Sequence, residues 1–324
     1  MHLSYLNYLL AFAASFGIVV SATPLFRTLA LSRGILDGPD GPDGRKRQIQ
    51  PIPYLGGLAI AIGFTVVVIG GAVTLRPLSA NGWLAAGVIL PALGLGIIGL
   101  LDDLRGLGVR SRFAAQTMAA IITATISISL GTSASLFGNR YLDSIVTIFW
   151  VIGITNAINL LDNMDGLAGG SVAISALGFF AIAALNGQYL VAALSVALTG
   201  ACLGFLWHNW NPATIYMGDS GALFLGFMLA VIAVRLHFPS HSHLSAFVAR
   251  ILILALPIVD TSIVVVSRLW RGVSPFQGGR DHLSHRLANR GYSVTSSVLI
   301  LFGLAALSTL AGVIGGVNLF GVGW

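Results

Sequence analysis

The residues of this chain that are best able to do chemistry are carboxylates, and they gather on one side of a very apolar sequence. All eleven acidic residues are Asp. Charged side chains are costly in hydrocarbon and persist there where they meet water, a partner or a ligand. A carboxylate-rich face is therefore typical of metal or phosphate chemistry at a membrane surface. Nine of the eleven fall in connections that we place on the same side: Asp37, Asp40, Asp43, Asp102, Asp103, Asp162, Asp165, Asp219 and Asp281.

The segment GLLDDLRGLGVRSRFAAQ places Asp102 and Asp103 side by side at the end of an apolar run. Adjacent carboxylates repel each other, so the pair implies a cation, a bound proton or open water. Arg105, Arg110 and Arg112 follow within ten residues. The simpler alternative is a solvated helix end.

In the segment NAINLLDNMDGLAGG, Asn156, Asn159, Asp162 and Asp165 recur every three residues. This spacing predicts a polar stripe along one helix face. Oxygen ligands of this sort suit Mg²⁺, which binds proteins through one or two carboxylates together with substrate phosphates. The alternative is a ladder of hydrogen bonds between helices.

Two further segments carry groups that could bind an anion, which are helix N–H groups in the first and His and Arg side chains in the second. Asp219, in MGDSGALFLG, stands at the entry to an apolar run, where helix N–H groups could face an anion or be capped by Ser220. The segment DHLSHRL holds His282 and His285 at helical spacing, with Arg286 beside them, and Arg is suited to phosphate. A Zn²⁺ site is the alternative there, although no third soft ligand lies nearby.

The elements that must position these residues are transmembrane helices. The chain is 56% hydrophobic and 9% charged, whereas soluble domains carry roughly 25% charged residues. Apolar runs of spanning length cover residues 5–26, 55–74, 83–101, 113–130, 142–160, 171–185, 188–207, 220–235, 247–267 and 294–315. With the N-terminus outside, thirteen of the seventeen Lys and Arg residues lie on the side of the Asp clusters.

We therefore predict an all-α polytopic membrane protein of about ten transmembrane helices, with residues 1–324 forming one multi-span domain. The catalytic loops are expected on the cytoplasmic face of a bacterial inner membrane. The net charge of +6 follows from this topology and from attraction to anionic lipid or phosphate, so no nucleic-acid partner is expected. The single Cys202 excludes a disulfide within the chain.

Four motifs in this order, GLLDDLRGL, NAINLLDNMDGLAGG, MGDSGALFLG and DHLSHRL, resemble the polyprenyl-phosphate N-acetylhexosamine-1-phosphate transferase superfamily, the glycosyltransferase 4 family. The resemblance covers nearly the whole chain and is nearest to the branch that starts O-antigen and teichoic acid synthesis. It implies transfer of a sugar-1-phosphate, with GlcNAc-1-phosphate as the first candidate, from a UDP-N-acetylhexosamine to undecaprenyl phosphate, releasing UMP. The implied cofactor is Mg²⁺, for which Mn²⁺ could substitute. The resemblance is compatible with a homodimer.

The resemblance also implies roles for individual residues. Asp219 is expected to bind Mg²⁺ with Asn159 as a second ligand. The catalytic group is expected to comprise Asp102, Asp103, Asp162 and Asp165, with Asp102 as base or phosphate-positioning residue. The residues expected to bind the substrates are Lys46, Arg112, Asn156, His282, His285 and Arg286.

The sequence departs from the family pattern at three points, and these bear on the donor sugar more than on the reaction. Asn163 stands where the family usually has Gly, Gln48 follows the basic cluster in place of the usual His, and HLSHRL stands where the muramoyl-pentapeptide enzymes have a triple His. A Mg²⁺-dependent prenyltransferase is one alternative, but Gly106 stands where its motif would have a further Asp. A CDP-alcohol phosphotransferase is a weaker one, because no spaced Asp pair follows Asp165-Gly166. A secondary transporter would place ionisable residues near the midplane between repeats, and no repeat is evident here.

Overall fold

The computed structural model describes residues 4–38, 50–74, 81–129, 139–238, 242–275 and 279–317. Within them the chain is almost entirely helical, which confirms the predicted all-α class. The elements in chain order are α1 (Tyr5–Arg33), β1 (Leu36–Asp37), β2 (Ile52–Pro53), α2 (Gly56–Thr74), α3 (Asn81–Arg105), α4 (Val109–Ser129), α5 (Arg140–Leu161), α6 (Leu167–Leu185), α7 (Tyr189–Asn209), α8 (Gly218–Arg235), α9 (His243–Ile253), α10 (Ala255–Trp270), α11 (Leu283–Asn289) and α12 (Val294–Val317).

Helices lie over all ten predicted spans, but they are not all equivalent. In the described part of the chain, eight helices are long and apolar enough to cross a membrane alone, and the bent pair α9–α10 supplies a ninth. Helix α4 occupies the fourth predicted span without reaching that hydropathy. Its first turns carry Arg110 and Arg112, and polar residues recur farther along it.

Helix α8 is the centre of the bundle, and its packing fixes where its first turn lies. Nearly every residue from Ser220 to Val234 is buried, with α3 and α5 packed along it most extensively. Three close approaches need glycine, because an added Cβ at Gly57, Gly99 or Gly226 would overlap the backbone of Gly221, Asp219 or Thr155. Backbones this near to one another are typical of membrane helix pairs with small residues at their interface.

The first connection is tied to the segment that precedes α8. Strands β1 and β2 pair antiparallel, and the chain then continues as a bridge between Tyr54 and Tyr216. The Tyr216 N–H donates to the Pro53 carbonyl at 2.8 Å and the Gly56 N–H donates to the Tyr216 carbonyl at 3.0 Å. This pairing anchors the entry to α8 against the start of α2.

The span predicted over 247–267 is a broken helix rather than a straight one. Helices α9 and α10 meet at Leu254 with a bend of 79°. A break within a membrane must satisfy the carbonyls that it frees. Ser175 and Thr309 donate their hydroxyls to the Ile253 carbonyl at 2.9 and 3.3 Å. Pro257 falls in the first turn of α10, where the missing N–H costs no helical hydrogen bond.

Candidate active site

All five connections that the sequence places on one side meet at one end of the bundle. Arg27 Nε donates to the Thr214 carbonyl at 3.2 Å, which links the first connection to the fourth. The Ala213 N–H donates to Asp165 Oδ2 at 3.0 Å, which links the fourth to the third. Ser284 Oγ donates to Asn163 at 2.5 Å, which links the fifth to the third. The carboxylates that lie far apart in the sequence therefore share one surface of the folded chain.

Arg112 joins the second connection to the fourth and lies at the middle of the carboxylate cluster. Its Nη1 lies 2.6 Å from Asp219 Oδ2 and 3.0 Å from Asp102 Oδ2. The Arg112 and Asp219 side chains are each 26% exposed and that of Asp102 is 10% exposed, so a ligand has access to the group. One guanidinium thus holds carboxylates from α3 and α8 together.

Asp103 holds the first turn of α8 in place. Its Oδ1 accepts the Asp219 N–H at 2.9 Å and its Oδ2 accepts the Ser220 N–H at 3.2 Å. The sequence predicts that these N–H groups could face a bound anion, but in the structure the carboxyl group of Asp103 occupies that place. Gly218 has a φ of 69°, and a Cβ at Gly218 would come within 2.5 Å of Asp103 Oδ2. The Tyr54 hydroxyl donates to the Asp103 carbonyl at 2.9 Å, so Asp103 is fixed from both sides.

The two asparagines of α5 stand one turn apart and have different partners. Asn159 Nδ2 donates to Asp219 Oδ1 at 2.8 Å, as expected for neighbours at one site. Asn156 Nδ2 instead donates to Gln116 Oε1 of α4 at 2.5 Å. Asn156 therefore lies one layer deeper than the carboxylates, next to a glutamine that sequence reasoning did not single out.

The predicted stripe of four residues ends after its second member, and that part of the prediction was wrong. Helix α5 stops at Leu161 with Asp162 as its C-cap, and the chain turns through Gly166, whose φ is 76°. Asp162 and Asp165 are thus loop residues beyond the helix end. The left-handed backbone that Gly166 permits outweighs the helical spacing.

Asp162 lies among like charges and is half-buried. Desolvation raises its pKa to about 8, and repulsion from Asp219, Asp103 and Asp165 adds to the rise. The raised pKa favours the protonated form of Asp162, and a cation that joined the cluster would favour the ionised form. Asp165 differs because its Oδ2 accepts from Asn211 Nδ2 at 2.8 Å and from the Ala213 N–H.

The fifth connection brings its histidines together beside the Asn163 loop. His282 is the N-cap residue of α11, and its ring centroid lies 5.9 Å from that of His285. His282 Nδ1 lies 2.7 Å from Asp260 Oδ2 of α10. Arg286 is exposed, and its Nε donates to the Asp281 carbonyl at 2.9 Å.

Asp281 also pairs with two arginines of the α10 end. Arg268 Nε donates to Asp281 Oδ2 at 3.1 Å and Arg271 Nη2 donates to Oδ1 at 2.5 Å. One carboxylate is shared by two guanidiniums, so this corner keeps an excess of positive charge. An excess of this kind favours anionic ligands.

The cluster fits a hard divalent cation, although it does not form a ready-made cage. No three His, Cys, Asp or Glu side chains among the described residues are arranged to hold a metal. Mg²⁺ needs no such cage, because it keeps waters and takes one or two carboxylates plus phosphate oxygens. Asp102 Oδ1 is buried with no hydrogen-bond partner in the described chain. The cluster also has more carboxylates than the single guanidinium of Arg112 can neutralise. The donor chemistry and the unpartnered oxygen both suit Mg²⁺.

Several neighbours of the site escaped sequence reasoning because they are remote in sequence. Gln116, Tyr54 and Asn211 carry no local signal that separates them from ordinary polar residues. Asp260 did carry a sequence signal, because a carboxylate within an apolar span needs a partner. Its position in the sequence could not show that this partner is His282. The predicted substrate residue Lys46 lies outside the described residues.

Comparison with known proteins gives these residues a family context. Residues 85–237, which hold the three Asp motifs, match the model "Glycosyl transferase family 4". The chain is 30% identical to a "Probable undecaprenyl-phosphate N-acetylglucosaminyl 1-phosphate transferase" of Bacillus subtilis (strain 168), over 95% of this chain and 85% of that protein.

Two further relatives cover most of the chain. A "Decaprenyl-phosphate N-acetylglucosaminephosphotransferase" of Mycolicibacterium smegmatis is 31% identical over 88% of this chain and 76% of its own. A "Phospho-N-acetylmuramoyl-pentapeptide-transferase" of Geobacillus thermodenitrificans is 35% identical over 69% of this chain and 74% of its own. The matched motifs, the helical membrane fold and these similarities together make this chain a member of glycosyl transferase family 4, a transferase built into the membrane.

Proposed function

We propose that the protein transfers N-acetylhexosamine-1-phosphate, with GlcNAc-1-phosphate as the first candidate, from a UDP-sugar to undecaprenyl phosphate and releases UMP. This is the first membrane step in the synthesis of a cell-envelope glycan. The names of the relatives support a polyprenyl phosphate acceptor and a GlcNAc-phosphate group. The Lys and Arg bias supports a site on the cytoplasmic side of a bacterial inner membrane.

The observation that carries the proposal is the Arg112 bridge between Asp102 and Asp219. It brings together three carboxylates, counting Asp103, at the end of membrane helices and next to a guanidinium. Phosphoryl transfer depends on alignment and charge neutralisation more than on covalent machinery. A lipid phosphate can reach such a place through the bilayer while the nucleotide arrives from water.

Asp219 and Asn159 would hold Mg²⁺, and Asp102 stands beside them. Asn159 bonds Asp219 through its amide nitrogen, which leaves its amide oxygen for a cation. Bound Mg²⁺ would neutralise and align phosphate oxygens. Asp103 would act by fixing Asp219, because both of its carboxylate oxygens already accept N–H groups of α8.

Six further predicted residues are assigned to the two substrates. His282, His285 and Arg286 lie at the cationic end of the site and would bind the diphosphate and sugar of the donor. Arg112, and Lys46 from the first connection, would meet phosphate. Asp102, whose Oδ1 lacks a partner in the described structure, would position the acceptor phosphate or take its proton.

The test is an assay of purified protein with undecaprenyl phosphate and a panel of UDP-N-acetylhexosamines, with Mg²⁺, with Mn²⁺ and without metal. We expect UMP release that requires both lipid and metal, fastest with UDP-GlcNAc. Turnover without divalent cation would contradict the metal assignment, and preference for another UDP-sugar would replace the donor. If a folded sample released UMP from none of the donors in the panel, the proposed function would be overturned.

A further inference from the structure

Asp260 and His282 form a buried pair between α10 and the start of α11. Asp260 Oδ2 lies 2.7 Å from His282 Nδ1. Asp260 is 1% exposed and His282 is 4% exposed. Burying a carboxylate is costly unless its oxygens are hydrogen-bonded and its charge is paired, so this contact accounts for an Asp inside a membrane helix.

The second oxygen of Asp260 determines how the imidazole is protonated. Asp260 Oδ1 accepts the Leu283 N–H at 2.7 Å, which leaves Oδ2 for the ring. An ionised carboxylate can only accept hydrogen bonds, so His282 Nδ1 must carry the hydrogen. Two bonds to consecutive residues also fix the rotation of the ring.

The other ring nitrogen of His282 is not occupied by a contact within the described part of the chain. Only Nδ1 has a hydrogen-bond partner there, and Nε2 is not among the buried polar atoms that lack one. His282 lies two residues before Ser284, which bonds Asn163 beside Asp162. The ring is therefore held at the edge of the carboxylate cluster with one nitrogen unassigned.

We propose that Asp260 is a positioning residue that acts through His282 in recognition of the nucleotide-sugar donor, an inference that rests on the proposed function. Phosphate oxygens accept hydrogen bonds, so Nε2 must also be protonated when it binds the donor diphosphate. His282 is then an imidazolium whose charge is balanced by Asp260. The pair presents a cation to the donor while remaining neutral as a unit within the protein.

The competing explanation is that Asp260 only caps α11 through the Leu283 N–H. Asp260→Asn separates the two roles because its amide oxygen can still accept from Leu283. Its NH₂ group would then face Nδ1, which must become an acceptor. The ring keeps a hydrogen on Nε2 but can no longer be doubly protonated in this pairing.

A double-mutant cycle measures whether Asp260 acts through His282. For Asp260→Asn we expect the KM for the UDP-sugar to rise about 10- to 100-fold, with the KM for undecaprenyl phosphate within about twofold. In the His282→Gln background the same change should add less than about twofold. Asp143→Asn is the control, because Asp143 is also buried but lies in the first turn of α5, at the end away from the site. This variant should leave both KM values unchanged. The proposal would be overturned if the KM increases of the two single variants multiplied in the double variant. It would also be overturned if Asp260→Asn raised the KM values of both substrates equally.

A second readout does not depend on turnover. Protein labelled with ¹⁵N-histidine reports which ring nitrogen is protonated, and His282→Gln identifies the signal. We expect a proton on Nδ1 in the wild type and its transfer to Nε2 only in Asp260→Asn, with unchanged melting temperature. An unshifted His282 signal in the variant would overturn the pairing. If the wild type gave this signal yet released no UMP, the proposed function would fail while the pairing stood.

Discussion

At the scale of residues, Asp219 is where the contacts of the site converge. It accepts from Arg112 and Asn159 through different oxygens, and Asp103 binds its N–H. Each partner comes from a different helix, so the position of one carboxylate reports on the packing of four. This makes Asp219 the residue at which a minimal change should separate chemistry from folding.

Asp219→Asn and Asp102→Asn should each lower kcat/KM on the order of 100-fold or more, because both remove charge without changing shape. Initial rates of UMP release measure this, and the melting temperature of the detergent-solubilised protein controls for folding. Asp143→Asn, a buried carboxylate in the first turn of α5 and far from the site, is the matched control. Wild-type rates in both site variants would contradict the site assignment.

Asp162 predicts how stability depends on pH in metal-free protein. Its pKa is about 8 in the folded chain and near 3.9 when unfolded. The folded state therefore binds the extra proton between these values, and stability falls as pH rises from about 4 to about 8. Asp162→Asn should remove this part of the decline, so the melting-temperature difference between variant and wild type should grow from pH 5 to pH 8. A difference that stays constant over this range would contradict the assignment.

The sequence was a good guide to which residue types form the site and a poor guide to their partners. Asp102, Asp103, Asn159 and Asp219 were identified from motifs, and the fold brings them together. The sharing of Arg112 and the use of Asp103 as a clamp on α8 depend on packing between distant segments, which local spacing cannot show.

At the scale of helices, close glycine contacts set the position of the site. Helix α8 can start at the centre of the carboxylates only because α2 and α3 approach it backbone to backbone, through Gly57 and Gly99. The same contacts explain why α8 is buried on all sides. Glycine in an apolar run gives no sequence signal for which neighbour it will meet, so this packing was not predicted.

Gly99→Ala should impair catalysis more than its size suggests. The added Cβ would overlap the Asp219 backbone and push its carboxylate away from Arg112, and misplacement by about 1 Å can cost about 100-fold in rate. Gly94→Ala in the same helix meets nothing within 4 Å and is the control. Measured kcat/KM values should fall in the first variant only, and equal activities would show that α3 does not set the position of Asp219.

The helix ends were predicted less well than the helices themselves. The break at Leu254 and the end of α5 at Leu161 both fall where the hydrophobic or polar pattern continues. In each case tertiary contacts or a left-handed glycine decide the boundary, as for the Ile253 carbonyl that Ser175 and Thr309 satisfy. Hydropathy alone could not reveal them.

At the scale of the molecule, the charge asymmetry agrees with the geometry. The segments rich in Lys, Arg and Asp converge at one end, so orientation in the membrane decides which compartment supplies the nucleotide. The ten apolar runs were sufficient to predict the fold class. They could not show that one span is bent.

Cysteine labelling tests the orientation. Native Cys202 is buried, so Arg290→Cys at the site end and His243→Cys at the other end should be the reactive thiols. In intact spheroplasts an impermeant maleimide should label His243→Cys at once and Arg290→Cys only after lysis. The reverse pattern would place the site outside the cytoplasm.

The central claim is that a sugar and its phosphate move together to the lipid, and the fate of the donor β-phosphate tests it most directly. Purified protein would be given undecaprenyl phosphate, Mg²⁺ and UDP-GlcNAc labelled with ³²P at the β-phosphate. The account predicts that the label enters the lipid fraction in step with release of unlabelled UMP. Label that stays in the aqueous phase as UDP, while the sugar appears on the lipid, would contradict it.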